Sequence, residues 1–163
     1  MKKNIIYLIT LLLVPALVFG LLLATNKPLD PNAPETYFIT GNAFYKTGDY
    51  YNAIEQYNQA LVLNPTYEEA LSNLAFSYNK LDDFEQAAAV LEKLVELRPE
   101  NPSYHYDLAI NLVLAVKQDS KGTIEDVEKA QDHFNKADEL SPGFQRAREN
   151  AFFLEDLKMQ YYN

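Results

Sequence analysis

Small and large apolar residues recur along this chain at a constant spacing of 34 residues. The sets at this spacing are Gly41, Ala75 and Ala109; Phe44, Tyr78 and Leu112; Tyr50 and Phe84; Ala53 and Ala87; Tyr57 and Leu91; and Pro65 and Pro99. Within each unit the apolar positions lie three or four residues apart, which places them on one face of a helix. A repeat of this length predicts one helical hairpin per unit and an all-α fold.

Turn signals separate the predicted helices. Gly-Asp at 48–49 and Asp-Asp at 82–83 mark the turn inside each hairpin, and Pro65 and Pro99 close each unit because proline cannot continue a helix. Small residues at 41, 75 and 109 let paired helices cross closely, while the larger residues three places later fill the space between them. Each hairpin alone exposes an apolar face, so the units are expected to stack.

This pattern resembles the tetratricopeptide-repeat (TPR) family over about residues 34–142. The first repeat carries the resemblance through Tyr37, Thr40, Gly41, Phe44, Gly48, Tyr50, Ala53, Tyr57, Ala60 and Pro65. The second carries it through Leu71, Leu74, Ala75, Tyr78, Phe84, Ala87, Leu91 and Pro99, with Leu94 at a usually small position. The resemblance implies an α-solenoid of three TPR hairpins, at 34–67, 68–101 and 102–144.

The second helix of the third repeat arrives nine residues late. Its first helix is in register through Leu108, Ala109 and Leu112, but Pro142 lies 43 residues after Pro99, where the earlier interval is 34. We therefore place an insertion at 117–126, as a longer loop or an extension of the first helix. It is either a tolerated surface insertion or a partner contact. The delayed second helix is marked by Val127, Ala130, Phe134 and Ala137.

Residues 143–163 are predicted to form a capping helix and tail. Ala147, Ala151, Phe152 and Leu154 resume the pattern of small and large apolar residues before charges intervene, as expected for a helix that shields the last repeat from solvent. Tyr161 and Tyr162 are either a frayed end or part of an interface.

The N-terminus has the character of a membrane anchor. After a stub at 1–4, residues 5–24 form an uncharged run of 20 residues, long enough for one transmembrane helix of about 30 Å. A cleaved signal peptide is the alternative, but its apolar stretch is usually shorter, and Leu22 occupies a position where cleavage after Ala24 requires a small residue. A buried globular helix is the third possibility. The proline-containing segment 25–33 is expected to be a stiff linker.

The distribution of charge predicts the topology and excludes some partners. Lys2 and Lys3 precede the span, which favours a cytoplasmic N-terminus and a TPR domain in the periplasm or extracellular space. Beyond the span the chain has 12 basic and 23 acidic residues, a net charge of −11. Nucleic acid is therefore not expected as a partner, since its binding depends on lysine and arginine. The chain has no cysteine, so it has no disulfide or thiolate metal site.

In TPR domains the first helices of the hairpins line a concave groove that receives a peptide or a helix. The positions expected to line it here are Phe38, Asn42, Tyr45, Ser72, Asn73, Phe76, Asn79, Tyr106, Asp107, Ile110 and Val113. Apolar side chains there supply burial, and the asparagine amides can pair with a partner's backbone. Phe76 and Tyr106 are equally compatible with core packing, whereas Phe44, Tyr57 and Tyr78 are assigned to the core.

Some TPR domains grip the C-terminal carboxylate of chaperone tails with lysine, arginine and two asparagines. Asn42 and Asn73 match the two asparagines, but Phe38, Ser103 and Asp107 occupy the cationic places. An acidic tail would be repelled, so chaperone-tail binding is not expected. The two asparagines are then either generic groove residues or contacts for a different ligand.

Nothing in the sequence predicts catalysis, a cofactor or a metal site. His105 and His133 belong to no metal or catalytic motif and are expected to be packed and solvent-exposed, respectively. The predicted function is a membrane-anchored protein-interaction scaffold or assembly factor. The alternative is a permanent structural subunit of a membrane or envelope complex, and an enzyme or an accessory subunit acting on a small ligand is the least favoured. Homo-oligomerisation is compatible with all of these.

Overall fold

A computed structural model describes residues 30–118 and 123–161 of the chain. The predicted membrane span at 5–24 and most of the linker lie outside these residues. None of the helices that are described is long and apolar enough to cross a membrane.

The described residues form three helical hairpins followed by a last helix, with no β-strand among them. The hairpins are α1 (Pro34–Thr47) with α2 (Tyr50–Leu63), α3 (Glu68–Lys80) with α4 (Phe84–Leu97), and α5 (Pro102–Gln118) with α6 (Ile124–Leu140). A 3₁₀ turn (Phe144–Arg146) leads into α7 (Ala147–Tyr161). Consecutive helices pack against each other, and α1 also contacts α3. The predicted α-solenoid is therefore confirmed for this part of the chain.

The turn inside each of the first two hairpins follows from local side-chain chemistry. Gly48 ends α1 in the left-handed conformation with φ of 81°, which glycine adopts without strain, and Asp82 adopts it at φ of 56° in the second hairpin. Asp49 and Asp83 then cap α2 and α4, because each carboxylate accepts a hydrogen bond from the backbone N–H three residues later. These aspartates satisfy otherwise unpaired helix N–H groups.

The repeat residues lie where the 34-residue spacing predicts. Gly41, Ala75 and Ala109 each come seven residues after the start of their helices and are buried. Two adjoining core clusters result, one within the first two hairpins and the start of α5, the other among α5, α6 and α7. The core assignments of Phe44, Tyr57 and Tyr78 are confirmed, with Tyr57 fully buried and the other two partly buried against the first cluster.

Gly41 marks the closest approach within the first hairpin. A Cβ atom at this position would lie 2.6 Å from Cε1 and 2.8 Å from Cδ1 of Tyr57, closer than carbon atoms can pack. The second hairpin has Ala75 and Leu91 at the same two repeat positions. A larger first-helix residue is thus matched there by a smaller partner on the second helix.

The third hairpin absorbs its insertion mainly in its helices. Both α5 and α6 have 17 residues, whereas the first four helices have 13 or 14. The extension of the first helix is therefore present, and α6 also starts early. Thr123 and Asp126 form a reciprocal capping box that fixes this start.

The last helix caps the solenoid incompletely. Ala147, Ala151 and Leu154 are buried against the third hairpin, as predicted. Phe152 and Phe153, however, are 72% and 59% exposed. These two rings are left outside because the inward face of α7 is already filled by its alanines and leucine. An apolar face therefore remains at this end of the described solenoid.

We predict that Gly41→Ala destabilises the protein, although alanine is the better helix former. Forcing a methyl group into the Tyr57 ring should cost about 1–3 kcal/mol, of which about 1 kcal/mol is offset by helix propensity. Urea denaturation of the full-length chain, followed by circular dichroism, measures the change.

The pair found in the second hairpin supplies a control. The double variant Gly41→Ala/Tyr57→Leu should lose less free energy of unfolding than the two single variants lose together. The reason is that the shorter leucine side chain makes room for the methyl group. Additive effects would show that the two residues do not constrain each other.

Candidate functional site

Two adjoining cavities open along the first helices of the hairpins. The larger, of about 360 Å³, is lined by Phe38, Glu68, Glu69, Ser72, Asn73 and Tyr104. The smaller, of about 200 Å³, is lined by Ser72, Ala75, Phe76, Asn79, Leu91, Tyr104, Asp107, Ile110 and Asn111. Ser72 and Tyr104 line both, so the cavities form one continuous surface across α1, α3 and α5. We call this surface the groove.

Seven of the eleven residues expected in the groove line these cavities. They are Phe38, Ser72, Asn73, Phe76, Asn79, Asp107 and Ile110. Phe76 is 47% exposed, so its side chain is available to a partner. Sequence reasoning did not single out Tyr104 and Asn111, although they lie three residues before and four residues after Asp107, on the same face of α5.

Asn42 is engaged in a hydrogen-bond network inside the first two hairpins. Its Oδ1 accepts from the hydroxyl of Tyr57 at 2.7 Å and from Nδ2 of Asn73 at 2.7 Å. Burial raises the pKa of Tyr57 to about 12, against the opposing effect of the hydrogen bond with Asn73. The network joins α1, α2 and α3, so Asn42 contributes mainly to their packing.

Three other expected groove residues also make contacts within the protein. Tyr45 packs edge-on against Tyr50, with 5.3 Å between ring centroids. Tyr106 packs edge-on against Phe134 at 5.4 Å and Phe144 at 5.9 Å. Val113 packs against the second core cluster. Tyr45 therefore faces α2, and α5 directs Tyr106 and Val113 toward the second core cluster, which the spacing alone did not reveal.

Glu68 is neutralised at the edge of the larger cavity. Its Oε1 accepts from the Tyr104 hydroxyl at 2.7 Å, and its Oε2 lies 2.9 Å from Nε of Arg98. Burial, followed by the hydrogen bond and the charge of Glu68, raises the pKa of Tyr104 to about 12. The tyrosine therefore stays a hydrogen-bond donor at neutral pH and fixes the position of this carboxylate.

The two histidines form a pair between α5 and α6. Their Nδ1 atoms lie 2.9 Å apart, and Nε2 of His105 lies 2.9 Å from the carbonyl oxygen of Pro99. Because that carbonyl can only accept, Nε2 of His105 carries a proton, and its Nδ1 accepts from Nδ1–H of neutral His133. The expected packing of His105 is confirmed, whereas the expected exposure of His133 was wrong, since this ring is half-buried against its partner.

The structure shows no arrangement suited to metal binding within residues 30–118 and 123–161. No three histidine, cysteine or carboxylate side chains cluster there. The architecture is that of a helical-repeat protein with a groove on its first helices.

Comparison with known proteins identifies the repeats. A family model described as "TPR repeat" matches residues 41–82, and one described as "Tetratricopeptide repeat" matches residues 68–101. Residues 41–101 therefore contain TPR repeats, a protein-interaction fold that is typically non-enzymatic. Neither match includes the third hairpin, which carries the insertion.

Solved structures share the same fold over most of this chain. MamA from residue 41 to its end, from Desulfovibrio magneticus RS-1, is 27% identical, with a TM-score of 0.62 over 78% of this chain and 67% of that one. The first TPR domain of Spaghetti (RPAP3), bound to the HSP90 peptide SRMEEVD, is 19% identical, with a TM-score of 0.62 over 79% of this chain and 95% of that one.

A curated relative, Hsp70-Hsp90 organizing protein 3 from Arabidopsis thaliana, is 34% identical over 77 residues. The match spans 47% of this chain but only 14% of the relative. The match thus supports the assignment of TPR repeats in this chain, and it involves only a short segment of the relative.

We predict that Asn42→Ala lowers the free energy of unfolding by about 1–3 kcal/mol, because the buried Tyr57 hydroxyl and the Asn73 amide lose their acceptor. Asn135→Ala, an exposed position on α6, is the control and should have no measurable effect. An Asn42→Ala midpoint equal to that of wild type in urea denaturation would contradict the structural role.

We also predict that the His133 side chain makes stability depend on pH. Burial first, and then repulsion by His105 and Lys129, lower the pKa of His133, against the opposing charges of Asp132 and Glu92. The unfolded chain, in which this pKa is about 6.5, therefore binds more protons at mildly acidic pH.

Stability from His133 is thus fully present above about pH 6.5 and is lost as pH falls below that value. Urea denaturation between pH 7.5 and about pH 5 should show a smaller decline for His133→Gln than for wild type. Parallel curves for the two proteins would rule out this contribution.

Proposed function

We propose that this protein is a membrane-tethered TPR scaffold that holds a segment of a partner protein in its groove, outside the cytoplasm. The observation that carries the proposal is the continuous pair of cavities across α1, α3 and α5, with apolar walls and several polar groups. Apolar burial supplies affinity at about 25 cal/mol per Å², and the polar groups supply orientation. This combination suits an extended polypeptide.

The groove favours a ligand other than an acidic chaperone tail. Glu69 and Asp107 line its cavities, and no lysine, arginine or histidine lines either of them. Of the two asparagines that match a carboxylate clamp, Asn73 already donates from Nδ2 to Asn42, so one of its amide N–H groups is not available to a carboxylate. The repulsion expected from the sequence therefore applies along the groove.

The membrane tether rests on the uncharged run at 5–24 and on the lysines before it. The net charge of −11 beyond the run argues against direct adsorption of the TPR domain to an anionic lipid surface. A tether would therefore position a soluble binding surface near the membrane.

A permanent structural subunit of a membrane or envelope complex is the second candidate. The exposed Phe152 and Phe153 favour it, because adjacent exposed aromatics at the end of the described solenoid offer a face for lasting apolar contact. A fixed stoichiometry with another protein that survives gentle solubilisation would support this alternative over transient recruitment.

We predict that the TPR domain is digested when protease is added outside intact right-side-out membranes. A cytoplasmic N-terminus and a single span at 5–24 require this orientation. A tag at the N-terminus should be protected in the same sample and serves as the control for membrane integrity. Protection of the TPR domain until lysis would instead indicate a cytoplasmic docking adaptor.

We further predict that a photo-crosslinking amino acid at position 76 captures a partner protein in native membranes. The matched control is position 51, an aromatic that is 75% exposed on α2 and lines neither cavity. A partner adduct at 76 but not at 51 supports recruitment through the groove. Equal labelling at both sites, or no adduct at 76, argues against it.

A further inference from the structure

The smaller cavity of the groove combines apolar walls with two polar side chains from one helix. Phe76 of α3 and Ile110 of α5 contribute apolar surface, and Leu91 of α4 lines the same space. Asp107 and Asn111 lie four residues apart on α5 and therefore on the same helical face. At about 200 Å³ the cavity has room for one long side chain rather than for a helix.

Asn111 has an unpaired hydrogen-bond acceptor. The residue is only 3% exposed, and its Nδ2 donates to the backbone oxygen of Asp107 at 2.8 Å. Because that oxygen can only accept, the orientation of the amide is fixed, and Oδ1 cannot exchange places with Nδ2. Within residues 30–118 and 123–161, Oδ1 has no donor. A buried acceptor left in this way is unfavourable, so a ligand that donates to it gains affinity.

Asp107 adds an unpaired negative charge to the same cavity. Its carboxylate makes no hydrogen bond or ion pair with the described part of the chain, unlike Glu68 in the neighbouring cavity. Burial raises the pKa of Asp107 above its ordinary value, because it removes water from the ionised form. A positive charge beside it would stabilise the ionised form.

We propose that this cavity is a specificity pocket for a lysine or arginine side chain of the partner polypeptide. The aliphatic stem lies against Phe76 and Ile110, and the cationic head pairs with Asp107. Oδ1 of Asn111 has almost no exposed surface, so it becomes a second acceptor when the ligand turns the Asn111 side chain toward the cavity. A neutral amide could satisfy Asn111 but would leave Asp107 uncompensated, and an acidic side chain would be repelled. This proposal specifies which partner side chain the groove accepts, and it therefore rests on the proposed function.

The test uses side-chain probes, which need no knowledge of the partner. N-acetyl-lysine-N′-methylamide and its uncharged analogue N-acetyl-norleucine-N′-methylamide are titrated into the full-length protein in lipid nanodiscs. NMR signals of the Ile110 methyl groups and the Asn111 side-chain amide report binding at the pocket. We expect the lysine probe to bind about tenfold more tightly than the norleucine probe, since a charge-assisted hydrogen bond is worth about one decade of affinity.

Two substitutions of aspartate by asparagine distinguish the effect of the charge in the pocket from the effect of the net charge of the protein. Asp107→Asn should abolish the preference for lysine, so that the two probes bind with an affinity ratio of about one. Asp132→Asn removes the same charge from an exposed position on α6 that lines neither cavity, and it should leave the preference unchanged. Equal binding of the two probes to wild type, or no shift at Ile110 and Asn111 at about 50 mM probe, overturns the proposal.

Asn111→Leu separates binding from stability. It removes the unpaired acceptor, so the free protein should be as stable as wild type or more so, while the lysine probe binds less tightly. A loss of stability with unchanged probe affinity would show that Asn111 is a purely structural residue.

The outcomes for the pocket and for the groove are separable. Selective lysine binding without a crosslinked partner at position 76 would support the pocket and contradict the proposed scaffold function. A crosslinked partner without selective lysine binding would retain the scaffold and overturn the pocket.

Discussion

The close approach of the two helices in each hairpin is the constraint on which the rest of the structure depends. It requires a small residue on the first helix opposite a large apolar residue on the second. In the first hairpin this match leaves no space for a Cβ atom at Gly41, because the Tyr57 ring lies against its backbone. Alanines at 75 and 109 are buried at the same repeat position. Stacked hairpins bury a continuous core only while these crossings are kept.

The same crossings determine which polar groups remain available to a partner. Tyr57 reaches across the first hairpin and donates to Asn42, which also accepts from Asn73. Packing therefore uses the amide oxygen of Asn42 and one amide N–H of Asn73. Asp107 and Asn111, on the more distant α5, are not drawn into such a network. Both cavities of the groove thus have an acidic lining, with Glu69 in the larger cavity and Asp107 beside the unmet acceptor of Asn111 in the smaller one.

This acidic lining is the basis for proposing a ligand other than that of the chaperone-tail binders that share the fold. The RPAP3 domain was solved with an acidic HSP90 peptide, and at 19% identity that likeness extends to the fold alone. Here Asp107 stands at a place where a carboxylate clamp needs a cation, and the adjoining cavity contains Glu68 and Glu69. Under the proposed function, the same fold with a reversed local charge would select a different ligand, since specificity depends on repulsion as well as on attraction.

The sequence by itself determined the repeat, because hairpin periodicity is local: small and large residues at fixed spacing predict helices, turns and their stacking without knowledge of distant contacts. It therefore predicted the hairpins, the buried positions of Gly41, Ala75 and Ala109, and seven residues that line the groove. Tertiary structure decided the rest. The turning of Tyr106 into the third hairpin, the pairing of His105 with His133, the exposure of Phe152 and the unmet acceptor of Asn111 each depend on which side chains from other helices fill the neighbouring space. Spacing along one helix fixes a face, but only packing between helices decides what that face meets.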